Sequence, residues 1–163
     1  MTDIAHDFLD ESCRLLGTDY LSEIERSTAD LSDDDIWWRA NDASNSIGNL
    51  LLHLRGNVGQ WIIGGVGQRP NHRERQSEFD ERRHIPRAEL LANLRATVTE
   101  AVSVIRAVRA ESLREPRTIQ NYDTTVLRAI YHVVEHFSTH VGQIVMLAKM
   151  RTGKDLKLWQ PPE

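Results

Sequence analysis

Four long stretches of this chain carry apolar residues at spacings of three and four, and no segment alternates with period two over a useful length. An α-helix turns every 3.6 residues and a strand every two, so this pattern commits the chain to packed helices and an all-α class. The first helix is predicted over about 4–28, where Ile4, Phe8, Leu15, Leu16, Tyr20 and Ile24 share a face and acidic residues occupy the early turns. A linker from Asp30 to Ser44 follows, with Asp33, Asp34, Asp35 and the Trp37-Trp38 pair. The second helix is predicted over 46–63, capped by Asn45 or Ser46 and stopped by Gly64 and Gly65, with Ile47, Leu50, Leu51, Leu54, Val58, Trp61 and Ile62 on its apolar face.

Residues 64–85 lack apolar periodicity and read as a long charged loop. Pro86 suits the first turn of a third helix, over 86–110, marked by Leu90, Leu94, Val98, Ala101, Val102 and Ile105. A fourth, over 124–151, is capped by Asp123 or Thr124, carries a wide stripe from Val126 to Ala148, and ends at Gly153. Four helices of this length form a bundle, and 163 residues are the size of one hydrophobic core, so a single domain spanning 1–163 is expected.

Charge narrows the partners. Lys and Arg number 20 against 24 Asp and Glu, a formal charge of −4, and the first fifty residues are strongly acidic, so nucleic acid is not an expected partner. No apolar run approaches the roughly 18 residues a membrane helix needs. One cysteine, Cys13, reads as a buried thiol with no internal partner, and no basic and apolar leader opens the sequence; a cytoplasmic protein is expected. The Gly64-Gly65-Val66-Gly67 cluster follows a helix rather than a strand, the wrong context for a dinucleotide fingerprint.

The chemistry lies in the histidines. His132, His136 and His140 recur every four residues on the fourth helix, each turned by only about 40° from the last and raised by about 6 Å. A pair at i and i+4 can grip one metal ion from a single helix. The second helix offers a matching polar line, Ser46, Asn49, His53, Asn57 and Gln60, beside its apolar face. If the two helices are neighbours, His53 completes a three-histidine site with His136 and His140 and leaves one coordination position open. Taken alone, the pattern also fits hydrogen-bonded crevice histidines. His6, His72 and His84 read as solvated.

The segment Asn45-Ser46-Ile47-Gly48-Asn49-Leu50-Leu51-Leu52-His53-Leu54-Arg55-Gly56-Asn57, the run Arg73-Glu74-Arg75 with Glu78-Phe79, and His136-Phe137-Ser138-Thr139-His140-Val141-Gly142-Gln143-Ile144 together resemble the DinB/YfiT-like metalloenzyme superfamily, over about residues 5 to 150. The resemblance implies a four-helix bundle with up-down-down-up connectivity, often a homodimer. It also implies that His53, His136 and His140 occupy the three metal-ligand positions, whereas His132 matches none and belongs to the surroundings or the core. Relatives in that superfamily include transferases and isomerases that use low-molecular-weight thiols.

On this basis the expected function is that of a divalent-metal-dependent enzyme, a thiol-dependent transferase acting on a small electrophilic molecule, with zinc or nickel at the histidines. Asn57 and Gln143 are expected to orient the ligands, and Asn49 and His132 to line the pocket. Arg73 and Arg75 are candidates to hold a substrate carboxylate, although the interspersed Glu74, Glu78, Asp80 and Glu81 favour a solvated, ion-paired loop. Glu135 is turned by about 100° from His136 and is left out of the site. The rival expectations are a metal- or small-ligand-binding stress-response protein without turnover, and a structural dimerisation bundle whose histidines are core residues.

Overall fold

Residues 4–158 are described by the computed structural model of the chain. Helix α1 starts as Ile4–Arg14, widens into a π-helical segment, Leu15–Tyr20, and resumes as Leu21–Thr28. After it come the short α2, Asp33–Trp37, and α3, Ile47–Val58, which continues as a π-helical segment, Gly59–Val66. A short α4, Arg75–Asp80, precedes α5, Arg87–Arg106. A 3-10 turn, Ala110–Arg114, leads to the hairpin β1, Pro116–Ile119, and β2, Tyr122–Thr125, and the chain then enters α6, Val126–Thr152.

The class is therefore mainly helical, with one addition. Residues 116–125 form an antiparallel ladder that pairs Pro116 with Thr125 and Ile119 with Tyr122. Gln120 and Asn121 both take positive φ, 53° and 64°, the geometry that matches the twist of a two-residue hairpin. Strands of four residues are too short to show a period, and neither turn residue is glycine, so the local pattern was silent.

The helix ends follow local chemistry. The Ser46 hydroxyl accepts from the Asn49 amide at 3.2 Å while the Asn49 side chain accepts from the Ser46 amide at 3.3 Å, a capping box that starts α3. Thr125, rather than Asp123 or Thr124, caps α6 through the Arg128 amide, because the hairpin holds the two earlier residues in extended pairing. Gly153 ends α6 in the left-handed conformation, φ 66°. Gly64 and Gly65 do not stop α3, which runs through them to Val66. Their lack of a side chain serves packing instead: Ile119 of β1 occupies the space a Cβ on Gly65 would need.

Four long helices pack pairwise, α1 against α5 and α6, and α3 against the same two. Leu16, Ile24, Leu54, Ile62, Leu94, Ile105, Phe137 and Ile144 are sealed from solvent between them, each stabilising the fold by roughly 1.5 to 3 kcal/mol relative to exposure. Cys13 lies in this core, where burial pushes its thiol pKa up. Among the described residues no helix is long and apolar enough to cross a membrane. The linker before α3 is not irregular throughout: Ser32 and Asp35 form a capping box that starts α2, and Trp37 is buried while Trp38 is only half-buried, beneath the guanidinium of Arg151.

Candidate metal centre

Packing α3 against α6 brings His53 opposite His136 and His140. One ring nitrogen from each of the three lies within 4.8 Å of the others. The ring centres are 5.0 Å apart from His53 to His136, 5.0 Å from His53 to His140, and 4.4 Å from His136 to His140. His53 is buried; the other two are half-buried. The spacing of four on α6 therefore does what the periodicity predicts, and the remaining histidine of that line does not join. His132 lies one turn earlier, its ring 4.2 Å from that of Trp61 and its Nε2 3.4 Å from the Asn57 amide nitrogen. Asn57 thus faces His132. The Asn57 Oδ1 and the Trp61 Nε1 are buried without a protein partner.

Burial favours the neutral form of the three histidines of α6. Burial, then the neighbouring His140, His53, His132 and Arg73, pushes the His136 pKa down to about 3. The pKa of His140 is lowered chiefly by burial, partly opposed by its bond to Gln143, with His53 and Arg75 adding to the fall. The pKa of His132 is lowered by burial as well, against the opposing charge of Glu135. Neutral rings offer lone pairs at neutral pH.

Hydrogen-bond partners place the proton on two of the three rings. The Nδ1 of His53 is 2.9 Å from a Glu78 carboxylate oxygen, and since a carboxylate only accepts, Nδ1 carries the hydrogen and Nε2 is left as the lone pair. That Nε2 faces the Nε2 of His136 at 2.9 Å. The Nδ1 of His140 is 2.7 Å from the Gln143 Oε1 and donates to it, which frees its Nε2 likewise. Two nitrogens at such a separation, backed by a fixed donor set, suit a soft or borderline divalent cation bound by imidazole.

Glu78 is the residue that sequence reasoning placed wrongly. The loop of residues 64–85 was expected to be solvated; instead, Arg73 and Glu78 are 4% and 10% exposed and lie against α3. The Arg73 Nε donates to Glu78 Oε1 at 2.6 Å and one terminal nitrogen to Oε2 at 2.8 Å, a two-pronged pair, while the other reaches Gln60 at 3.0 Å. Burial pushes the Glu78 pKa up, yet the hydrogen bonds from Arg73 and His53 outweigh it and the net shift is downward, so the carboxylate stays charged. Gly56 makes the arrangement possible: a Cβ there would collide with Glu78 and lie 2.8 Å from the Arg73 Nε. A glycine in mid-helix, three residues after His53, was the signal available in the sequence.

Asn49 acts through the loop. Its side-chain amide donates to the carbonyls of Glu78, Phe79 and Glu81 at 2.9, 3.4 and 3.2 Å, tying the end of α4 to the start of α3. Phe79 lays its ring 4.7 Å from that of His53, and Arg75 lies over Phe79 with its guanidinium carbon 4.9 Å from the ring centre. The other histidines lie elsewhere: His6 and His72 are exposed, and His84 is exposed on Asp34 and stacked on Trp37.

A family model described as "Protein of unknown function (DUF1572)" matches residues 3–162, nearly the whole sequence. No curated protein matches it.

Proposed function

The chain belongs to the DUF1572 family, and from that premise we propose that it is a divalent-metal-dependent enzyme whose cation is held by His53, His136 and His140, working as a thiol-dependent transferase on a small electrophilic molecule. The observation that supports this reading is the convergence of three imidazole nitrogens within 4.8 Å. Zinc or nickel held by three histidines keeps a coordination position for a ligand from solution, where it lowers the pKa of a water or thiol.

The protein's own groups do the rest. Glu78 holds the proton of His53 on Nδ1, and Gln143 holds that of His140 on Nδ1, so both rings present Nε2 to the same point. Arg73 keeps Glu78 ionised and in place. Phe79 covers one face of His53 and excludes water from that side. His132, Asn57 and Trp61 continue the polar seam beyond His136. In the same reading the family is a branch of the DinB/YfiT-like superfamily, its four long helices run up-down-down-up, and the protein is a cytoplasmic homodimer.

The test is elemental analysis of protein purified without a His-tag or chelating resin. About one equivalent of a transition metal is expected in the wild type and near none in the His136→Ala/His140→Ala double variant. No metal in either, even after reloading, would sink the reading. Metal-loaded protein should then consume a low-molecular-weight thiol together with an electrophile; a binding protein without turnover would hold metal and consume neither.

A further inference from the structure

We propose that Arg75 captures a carboxylate, so that the small molecule acting at the histidine trio is an anion whose carboxylate lies a few bonds from its metal-binding atom. This rests on the metal site proposed above.

The arginines around α4 have very different occupations. Arg69 pairs with Glu100, Arg73 with Glu78, and Arg83 with Glu81 at 2.5 Å, while Arg82 donates to the carbonyls of Phe79 and Glu81. Arg75 has no carboxylate partner among the described residues; its guanidinium lies over the ring of Phe79. Of the two acids of α4, Glu78 is taken by Arg73 and Asp80 accepts from Gln76 at 2.9 Å. Phe79 in turn packs on His53, so the Arg75 guanidinium carbon is no farther from the His53 ring centre than two steps of 4.9 and 4.7 Å laid end to end. Arg75 is thus an exposed guanidinium on an aromatic pedestal at the rim of the trio.

Charge balance gives that position meaning. Arg73 is cancelled by Glu78, whereas Arg75 has no carboxylate partner among the described residues and brings an uncompensated positive charge to the rim of the site. A guanidinium resting on a ring has already given up part of its rotamer freedom, and it offers a planar fork that fits a carboxylate with two hydrogen bonds. A metal–sulfur bond of about 2.3 Å, a two-carbon spacer and a charge-assisted hydrogen bond of about 2.8 Å would together reach about as far as those two steps. A mercaptocarboxylate has those parts in that order.

The experiment uses the full chain loaded with cobalt(II), whose sulfur-to-metal charge-transfer absorption reports thiol binding without any need for turnover. Titrations with 3-mercaptopropionate and with the neutral 2-mercaptoethanol give a ratio of dissociation constants. Comparing that ratio between variants cancels whatever chelation the carboxylate achieves by itself. In the wild type the ratio should favour the anionic thiol, and Arg75→Ala should reduce that preference about tenfold with the cobalt spectrum of the thiol-free protein unchanged. Arg75→Lys should keep part of the preference. Equal ratios in wild type and Arg75→Ala overturn the assignment of Arg75 while leaving the metal site standing. Absence of a cobalt spectrum in the wild type overturns the metal site itself, and this inference with it.

Discussion

Two connections flank α3, and they use the same device for opposite ends. Each is polar, each carries a short helix, and each presses onto a glycine of α3. The earlier connection lays the Trp37 ring on Gly48, where an added Cβ would come within 2.8 Å of it, and ties the indole nitrogen to the Ile85 carbonyl at 2.9 Å. The later one lays the Arg73–Glu78 pair on Gly56. The first contact buries apolar surface and stabilises the fold directly. The second buries two charges, whose desolvation offsets most of their attraction. What the second connection gains is orientation: Glu78 sets the tautomer of His53, whereas Trp37 and Arg39 of the first connection bond to Ile85 and Asn49. A glycine notch in a helix is therefore not a sign of function in itself; the chemistry of what fills it decides.

This contrast can be broken most forcefully at Glu78. Glu78→Ala should lower metal affinity by about 10 to 100-fold, read by competition with a chelator, because the ligand loses the partner that orients it. It should also cost roughly 3 to 5 kcal/mol in a denaturation experiment, since the Arg73 guanidinium stays buried without its counter-charge. Unchanged affinity would make the second connection as purely structural as the first. Trp37→Ala is the complementary cut, expected to cost about 3 to 5 kcal/mol of stability while leaving metal affinity within about twofold; a large loss of affinity would join the two connections into one unit.

Acid sharpens the comparison by a smaller effect. His136 has its folded pKa pushed down to about 3 from 6.5, and the pKa values of His140 and His132 are lowered as well. Below pH 6.5 the unfolded chain therefore binds protons that the folded one refuses, so stability of the metal-free protein should fall as pH drops from there toward 3. Glu78, lowered from 4.5, adds a loss of the same sign further down. Denaturation midpoints at about pH 7.5 and 5 should differ in the wild type and in Trp37→Ala, and differ less in His136→Ala. Smallest is Ser32→Ala, which removes the cap of α2 and should cost about 1 kcal/mol with no change in metal binding, measured by thermal denaturation and the same chelator competition.

Much of this was readable in the residues. The helix α6 follows from its stripe of Val, Ile and Phe, and the pairing of His136 with His140 follows from their spacing. His53 stood out because it shares with Asn49 and Asn57 a polar line beside the apolar face of its helix. His132 was indistinguishable from the other two by spacing, and what separates it is Trp61 and Asn57, which come from another helix. Arg73 and Glu78 looked like an ordinary solvated pair because burial of a loop residue leaves no mark on its own neighbours in the chain. The hairpin at 116–125 escaped for a related reason, its two strands each being shorter than a recognisable pattern.

The sequence by itself determined where helices form and which imidazoles can meet along one of them, since both depend on residues within a turn or two of each other. Only the tertiary structure decided that His53 faces His136 and His140, that Glu78 stands behind it, and that Arg75 is left over at the rim. Those contacts join residues 25 to 87 positions apart, and they form because packing α3 between α5 and α6 closes distances that no local preference encodes.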